Sequence, residues 1–387
     1  MTLCTLLFGL LRFFPVCLVL TVAGASAADF RYLVYVGTYT DKDSKGIYAF
    51  KFDPASGVTE PIGLVAETQN PSFLAVDSNG KLLYAVNEVD IFNGATTGGV
   101  STFAIDRDSG KLTLLQQLSS AGAGPAHISL DKTGRYVLVA NYDSGNIAVF
   151  PINKDGQLGP RTAFVQHAGS SLNKERQATP HAHEIQVSND NQFVLVADLG
   201  IDELLVYRFD ASTGSLTLNH PAFVKVSPGS GPRHFAIASS GKFVYLVNEM
   251  SSTIDVFSFN PSSGRLHKEQ TISTLPRDFK GENTTAEIAT DSSGKFLYVS
   301  NRGDNSIAVF AIDQQNGKLS FVERTPTGGK TPRHFALDPT GKWMFVENQD
   351  SGTINIFAID AAGGKLSATS HTLKASSPVC VVFVPLE

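Results

Sequence analysis

The sequence predicts an all-β chain closed into a seven-bladed β-propeller with four antiparallel strands per blade, and three observations carry that expectation. The first is one strand pattern, β-branched and aromatic residues alternating and ending on an acid or amide. It occurs seven times at intervals of 47–57 residues, over 47–53, 100–106, 147–153, 204–210, 254–260, 307–313 and 354–360. Alternation with period two marks a half-buried strand. The second is a loop–strand–Gly turn–strand module over 231–249, from Gly231-Pro232-Arg233-His234-Phe235 to Val247-Asn248-Glu249. It returns as Pro332-Arg333-His334-Phe335 with Val346-Glu347-Asn348, and more loosely as Gly124-Pro125-Ala126-His127 with Val139-Ala140-Asn141. The third lies at the chain ends. Residues 30–37 match the second strand of the module and 378–385 its first, so the C-terminus would supply the innermost strand of the blade that the N-terminus begins. Some fifty residues in four strands is the period of a propeller blade, whose sheet buries its faces only by packing radially on its neighbours.

Taken from the start, residues 1–27 read as an export signal. An apolar run from Phe13 on includes Leu18, Val19, Leu20 and Val22, and it precedes the small-residue cleavage site Ala25-Ser26-Ala27. Arg12 is the only basic residue before it, and a membrane anchor is the alternative, because the run 3–22 nearly reaches spanning length. Residues 28–387 then form one propeller domain, secreted or periplasmic and expected to be a monomer. Two of the three cysteines, Cys4 and Cys17, fall in the leader, so Cys380 has no partner for a disulfide within the chain. The net charge of −5 comes without a basic tract or a block of like charge, which excludes nucleic acid and an anionic membrane surface as partners.

Within each blade the first hairpin is expected at turns such as Asp131-Lys132-Thr133-Gly134 and the next at turns such as Asp143-Ser144-Gly145. Gly110, Gly214, Gly317 and Gly364 mark the turn into the variable fourth strand, where a hairpin needs positive φ. Two stretches, 166–179 and 275–285, are insertions and read as rim loops. Asn283-Thr284-Thr285 is a glycosylation sequon.

The start of a first strand and the end of a second share one rim near the axis, so residues there converge from different blades on a central pocket. The first position offers Phe73, His127, His183, His234, Glu287, His334 and Cys380. The second offers Glu88, Tyr142, Asp198, Glu249, Arg302 and a recurring Asn. Blade 3 is read with one extra residue in its first turn, which leaves His183 open by one position. The recurring Asn reads as a turn former, and His127 and His334 read as blade architecture. Departures from the repeat are the functional candidates: Glu249, Arg302 and the run Pro180-His181-Ala182-His183-Glu184. For Arg233 and Arg333, structural ion pairing and anion recognition are equally open.

In order, Tyr35-Val36-Gly37-Thr38-Tyr39, Pro180-His181-Ala182-His183, Val196-Ala197-Asp198-Leu199-Gly200, Gly231-Pro232-Arg233-His234 with Val247-Asn248-Glu249, Ser300-Asn301-Arg302 and Pro332-Arg333-His334 fall in five of the seven blades. With these motifs the chain resembles the lactonase family of seven-bladed propellers, which includes the propeller-type 6-phosphogluconolactonases and the carboxymuconate cyclases. The resemblance implies catalytic residues His183, Arg233, Glu249 and Arg302 in the central cleft. His127, His181, His234, Arg333 and His334 are assigned around them to substrate binding. It implies a small-molecule lactone as partner, with neither cofactor nor metal.

The reaction so implied is hydrolysis of a sugar-acid lactone. Glu249 or His183 would activate water as general base, and Arg233 and Arg302 would meet the oxyanion or a substrate anion. No G-x-S-x-G elbow points to a serine nucleophile. Export fits poorly with the cytosolic 6-phosphogluconolactone, so the identity of the lactone stays open. Three rival readings are kept. One is a metal-assisted hydrolase using His181, His183 and Glu184, since alternate strand residues share a face. Another is a non-catalytic propeller binding sugars or a protein. The last is a muconate-type cycloisomerase running lactone chemistry in the closing sense.

Overall fold

The computed structural model describes residues 1–2 and 28–386, so the export signal expected over 1–27 lies, but for its first two residues, outside the described residues. Seven four-stranded antiparallel sheets make up the fold, with a small extra hairpin, Ile91–Phe92 and Ala95–Thr96, inserted in the first of them. No helix occurs among the described residues. Blades 1 to 6 follow the chain, as in blade 4: Pro232–Ile237, Phe243–Asn248, Thr253–Asn260 and Arg265–Ser273, hydrogen-bonded in that order. Each of the seven repeated patterns forms the third strand of its blade. Blade 7 joins the two ends: Pro378–Pro385 lies innermost and pairs with Tyr32–Thr38, with Tyr35 opposite Val382.

Apolar clusters sit between blades rather than within them. One contains Leu138 and Val149 of blade 2 with Ile185 and Val196 of blade 3. The glycine turns explain their own recurrence. Gly317 and Gly364 have φ of 71° and 70°, and a Cβ on either would stand 2.4 Å from Phe243 or Phe296 of the preceding blade. Both positive φ and ring-on-backbone contact exclude a side chain there. Tyr298 beside Phe296 donates its hydroxyl to Gly364 O at 3.0 Å, and Tyr35 and Tyr84 make the same bond to Gly110 and Gly156. A buried polar group thereby finds a partner across each of these blade junctions.

The innermost strands share an irregularity that sets the site. Pairing slips between Pro125 and His127, between Ala182 and Glu184, and between Pro332 and His334, and blades 4, 5 and 7 slip at the same place. A bulge opposes two residues to one and re-aims the side chains around it. It also corrects the register expected for blade 3. Glu184 stands opposite Ala197 as His127 stands opposite Ala140 and His334 opposite Glu347, so His183 is one level higher. No extra residue lies in the turn: Ser188 N bonds Phe193 O just as Asp131 N bonds Tyr136 O and Ala238 N bonds Phe243 O. Ala182 occupies the place of Pro125 and Glu184 that of His127, so Pro180 falls two residues before the motif's proline place and His183 one before its histidine place. His183 therefore stands level with Arg233 and Arg333.

Candidate active site

Five of the seven second strands end on Asn, at Asn87, Asn141, Asn248, Asn301 and Asn348, and the residue after it is the one presented to the rim. Asn141 Nδ2 donates to Ser120 O and Asn87 Nδ2 to Gln69 O, and Asn301 Oδ1 accepts from Thr274, tying these strands to their incoming loops, whereas Asn248 Nδ2 donates to Asp255 of the next strand. Tyr142, Glu88, Glu249 and Arg302 follow these residues at the axis. With His183, Arg333 and Arg176 they line a cavity of about 200 Å³.

Glu249 is its hub. Its Oε2 lies 2.8 Å from Arg302 Nη2 and 3.2 Å from Arg233 Nε, and its Oε1 accepts from Arg176 Nη2 at 2.7 Å. Burial opposes its ionisation, but Arg302, Arg233 and Arg176 outweigh burial and hold the carboxyl down at about 2. Arg233 also donates to Ala286 O at 2.7 Å; burial, then Arg302 and Arg333, bring its pKa down to about 9, so it stays charged at neutral pH. A second knot faces the first. Arg333 Nη2 donates to Tyr39 OH at 2.7 Å, and Tyr39 donates to Glu88, which also accepts from Ser72.

His183 lines the same cavity as members of both knots. Its Nδ1 is buried with no hydrogen-bond partner in the protein. Burial first, then Arg233, His234, Arg333 and Arg302, push it well below 6.5, so at neutral pH it is an uncharged imidazole able to accept a proton. His181 does different work. Its ring stacks on Tyr142 with centroids 4.5 Å apart, and its Nδ1 donates to Tyr142 O at 2.9 Å, which braces the wall of the cavity. Glu184 turns down to the level below, so His181, His183 and Glu184 do not converge. Among the described residues no group of three His, Cys, Asp or Glu is placed to hold a metal ion.

His127, His234 and His334 lie one level beneath the cavity and do not line it. They fill the channel with Phe73, Glu184, Glu287 and Cys380. His234 Nδ1 meets Glu287 at 2.9 Å, His334 Nδ1 meets Glu347 at 2.7 Å, and the His127 ring lies 4.3 Å from that of Phe73. Arg176 is the cavity residue that sequence reasoning missed. It rides on the 166–179 insertion, which was legible as a rim loop, but nothing in a loop sequence says which side chain turns inward.

The channel carries a pH signature. Burial pushes His127, His183, His234 and His334 below 6.5, and it pushes Glu184, Glu287 and Glu347 above 4.5. Below 6.5 the unfolded chain binds more protons than the folded one through its histidines, so stability falls as pH drops from there. Above 4.5 the carboxyls act oppositely: the folded chain holds more protons, and stability falls as pH rises through their raised values. Between 4.5 and 6.5 the two sets oppose each other, and above 6.5 only the raised carboxyls still act, so thermal stability is expected not to rise from pH 6.5 upward. Any decline there should be smaller in Glu347→Gln, which keeps the shape of the neutral acid. A Tm that climbs steadily from pH 6.5 to about 9 in differential scanning fluorimetry would contradict this.

The geometry can be set beside known proteins. The family model described as Lactonase, 7-bladed beta-propeller matches residues 33–383. A 6-phosphogluconolactonase of Bacillus subtilis (strain 168) is 36% identical over 299 residues, 77% of this chain and 83% of that protein. One of Formosa agariphila is 34% identical over 300 residues, 76% of this chain and 83% of that protein. The solved structure of the periplasmic gluconolactonase PpgL of Pseudomonas aeruginosa superposes with a TM-score of 0.87 at 36% identity, covering 92% of this chain and 99% of that one.

Proposed function

Since this chain belongs to the seven-bladed β-propeller lactonase family, we propose that it is a carboxylic ester hydrolase that opens a sugar-acid lactone with water, in the manner of a 6-phosphogluconolactonase. The observation that carries this reading is His183, an uncharged imidazole whose buried Nδ1 has no hydrogen-bond partner, set among guanidiniums in a small axial cavity. A neutral base beside fixed positive charge is what water addition to an ester carbonyl requires.

In this scheme His183 takes a proton from water as the water oxygen adds to the carbonyl carbon. The carbonyl π electrons move onto oxygen, where the negative charge develops in the field of Arg233 and Arg302. The ring C–O bond then breaks, the imidazolium returns its proton to the departing ring oxygen, and a hydroxy acid results. That acid ionises at neutral pH and releases one proton per turnover. Glu249, already held as an anion at about 2 by three arginines, is too weak a base for this work and serves to aim the guanidiniums. The scheme uses no cofactor and no metal.

Export to the periplasm or outside the cell is part of the same proposal. It is supported by the leader pattern over 1–27 and by likeness to a periplasmic gluconolactonase. The domain 28–387 is proposed to act as a monomer on a dissolved lactone.

The test is a pH-stat assay of residues 28–387 on a panel of δ- and γ-lactones of sugar acids. Base consumption above the spontaneous rate is expected for at least one of them. None across the panel, with the folded protein in hand, overturns the proposal and turns attention to a non-catalytic binding role.

A further inference from the structure

Resting on the lactonase reading but going beyond it, we infer that Arg176 and Arg302 form a receptor for an oxyanion carried outside the lactone ring, and that Arg176 sets preference for charged substrates. Charge gives the first reason. Arg176, Arg302 and Arg333 line the cavity and Arg233 binds its hub, against the two carboxyl groups of Glu88 and Glu249. That sets four guanidiniums against two carboxyl groups, with Arg233 and Arg302 largely buried, and buried charge calls for a counterion.

Unspent donors give the second reason. Arg302 Nη2 is shared between Glu249 and Thr285 O, whereas its Nε is buried with no partner. Arg176 spends Nη2 on Glu249 and Tyr142, leaving the other donors of its fork. Its side chain is 41% exposed, against 3% for Arg233 and 14% for Arg302. An anion entering from the rim meets Arg176 first, and the guanidinium fork suits a carboxylate or a phosphate.

Position gives the third. Arg176 and Arg302 line both the axial cavity and a rim groove of about 690 Å³ bounded by Asn173, Met250, Thr284 and Thr331. They stand at the throat between the two, so a substituent there lets the ring reach His183. Arg176 is also held in place. Asn173 Oδ1 accepts from its backbone N at 3.1 Å, and the buried Gln177 donates to Leu199 O at 2.8 Å, pinning the turn to blade 3. A residue serving only to fill the rim would need no such support.

The test compares kcat/KM on gluconolactone, its 6-phosphate and the lactone of glucaric acid, which carries a carboxylate instead. The wild type is expected to favour a charged lactone, and Arg176→Ala to cut the charged-to-neutral ratio by about 10–100-fold. Arg176→Lys should restore part of it, and the phosphate and carboxylate arms tell which anion the throat fits. Calorimetric binding of 6-phosphogluconate and glucarate against gluconate reads the same receptor without catalysis. Selective binding lost in Arg176→Ala supports the receptor even if no lactone is hydrolysed, an outcome that would sink only the lactonase reading. Hydrolysis or binding whose charge preference is absent, or unmoved by Arg176→Ala in a variant of wild-type Tm, overturns the receptor alone.

Discussion

His183→Gln is expected to lower kcat by about 10²–10⁴-fold, the usual worth of a positioned general base, with Tm close to the wild type. The fold should tolerate it because Nδ1 makes no hydrogen bond to lose. The pH profile supplies the finer reading. A base must be unprotonated, and burial with the nearby arginines pushes His183 well below 6.5. Activity should therefore be flat from about pH 6.5 upward and fall only on the acid side, as the imidazole gains a proton. Glutamine keeps polarity and much of the volume but cannot accept that proton, so the acid limb should vanish with the rate. A variant that retains wild-type kcat, or that keeps the acid limb unchanged, would remove His183 from this role and return the question to Glu249.

Architecture was legible in the sequence because a blade cannot stand alone. Each of the seven third strands had to repeat the same alternation to pack on its neighbours, and the Gly turns repeat because side chains of the preceding blade press on them, aromatic rings at Gly214, Gly317 and Gly364. Ring closure was legible for the same reason, since an unpaired first-strand pattern at one end and a missing one at the other must meet. Glu249 and Arg302 stood out as departures at positions the repeat keeps for turn chemistry. The level of His183 did not, because Pro180-His181-Ala182-His183 resembles the Pro-x-His motif with one residue more, while the pairing places Ala182, not Pro180, opposite the end of the second strand. A slip of one residue changes which face a side chain presents, and only the pairing reveals it. Arg176 and the Tyr39–Glu88–Arg333 knot were hidden for a different reason. Tyr39 and Arg333 are 294 positions apart, and Arg176 reaches Glu249 over 73, distances at which local pattern carries no information.

Glu249→Ala is expected to destabilise the protein by about 3–5 kcal/mol, the usual cost of leaving a buried charge without its partner. Here three guanidiniums lose one carboxylate. Arg233 is the most exposed to the loss, because it is almost wholly buried and already pressed by Arg302 and Arg333. Urea denaturation should show the midpoint falling. A double variant Glu249→Gln with Arg302→Gln should recover part of the loss, since it removes charge from both sides; non-additivity between contacting residues is the signature of direct coupling. Acid provides an independent check on the wild type. A carboxyl depressed from 4.5 to about 2 contributes stability that is fully present above 4.5 and is lost as pH falls through 2. Glu249→Gln lacks that group, so its stability should lose less than the wild type's between pH 4.5 and 2. Activity should fall with stability in Glu249→Ala, because the same carboxylate aims Arg176, Arg233 and Arg302 toward the cavity. If the urea midpoint stays at the wild-type value, or the double variant is simply additive, Glu249 is not the hub that the distances indicate.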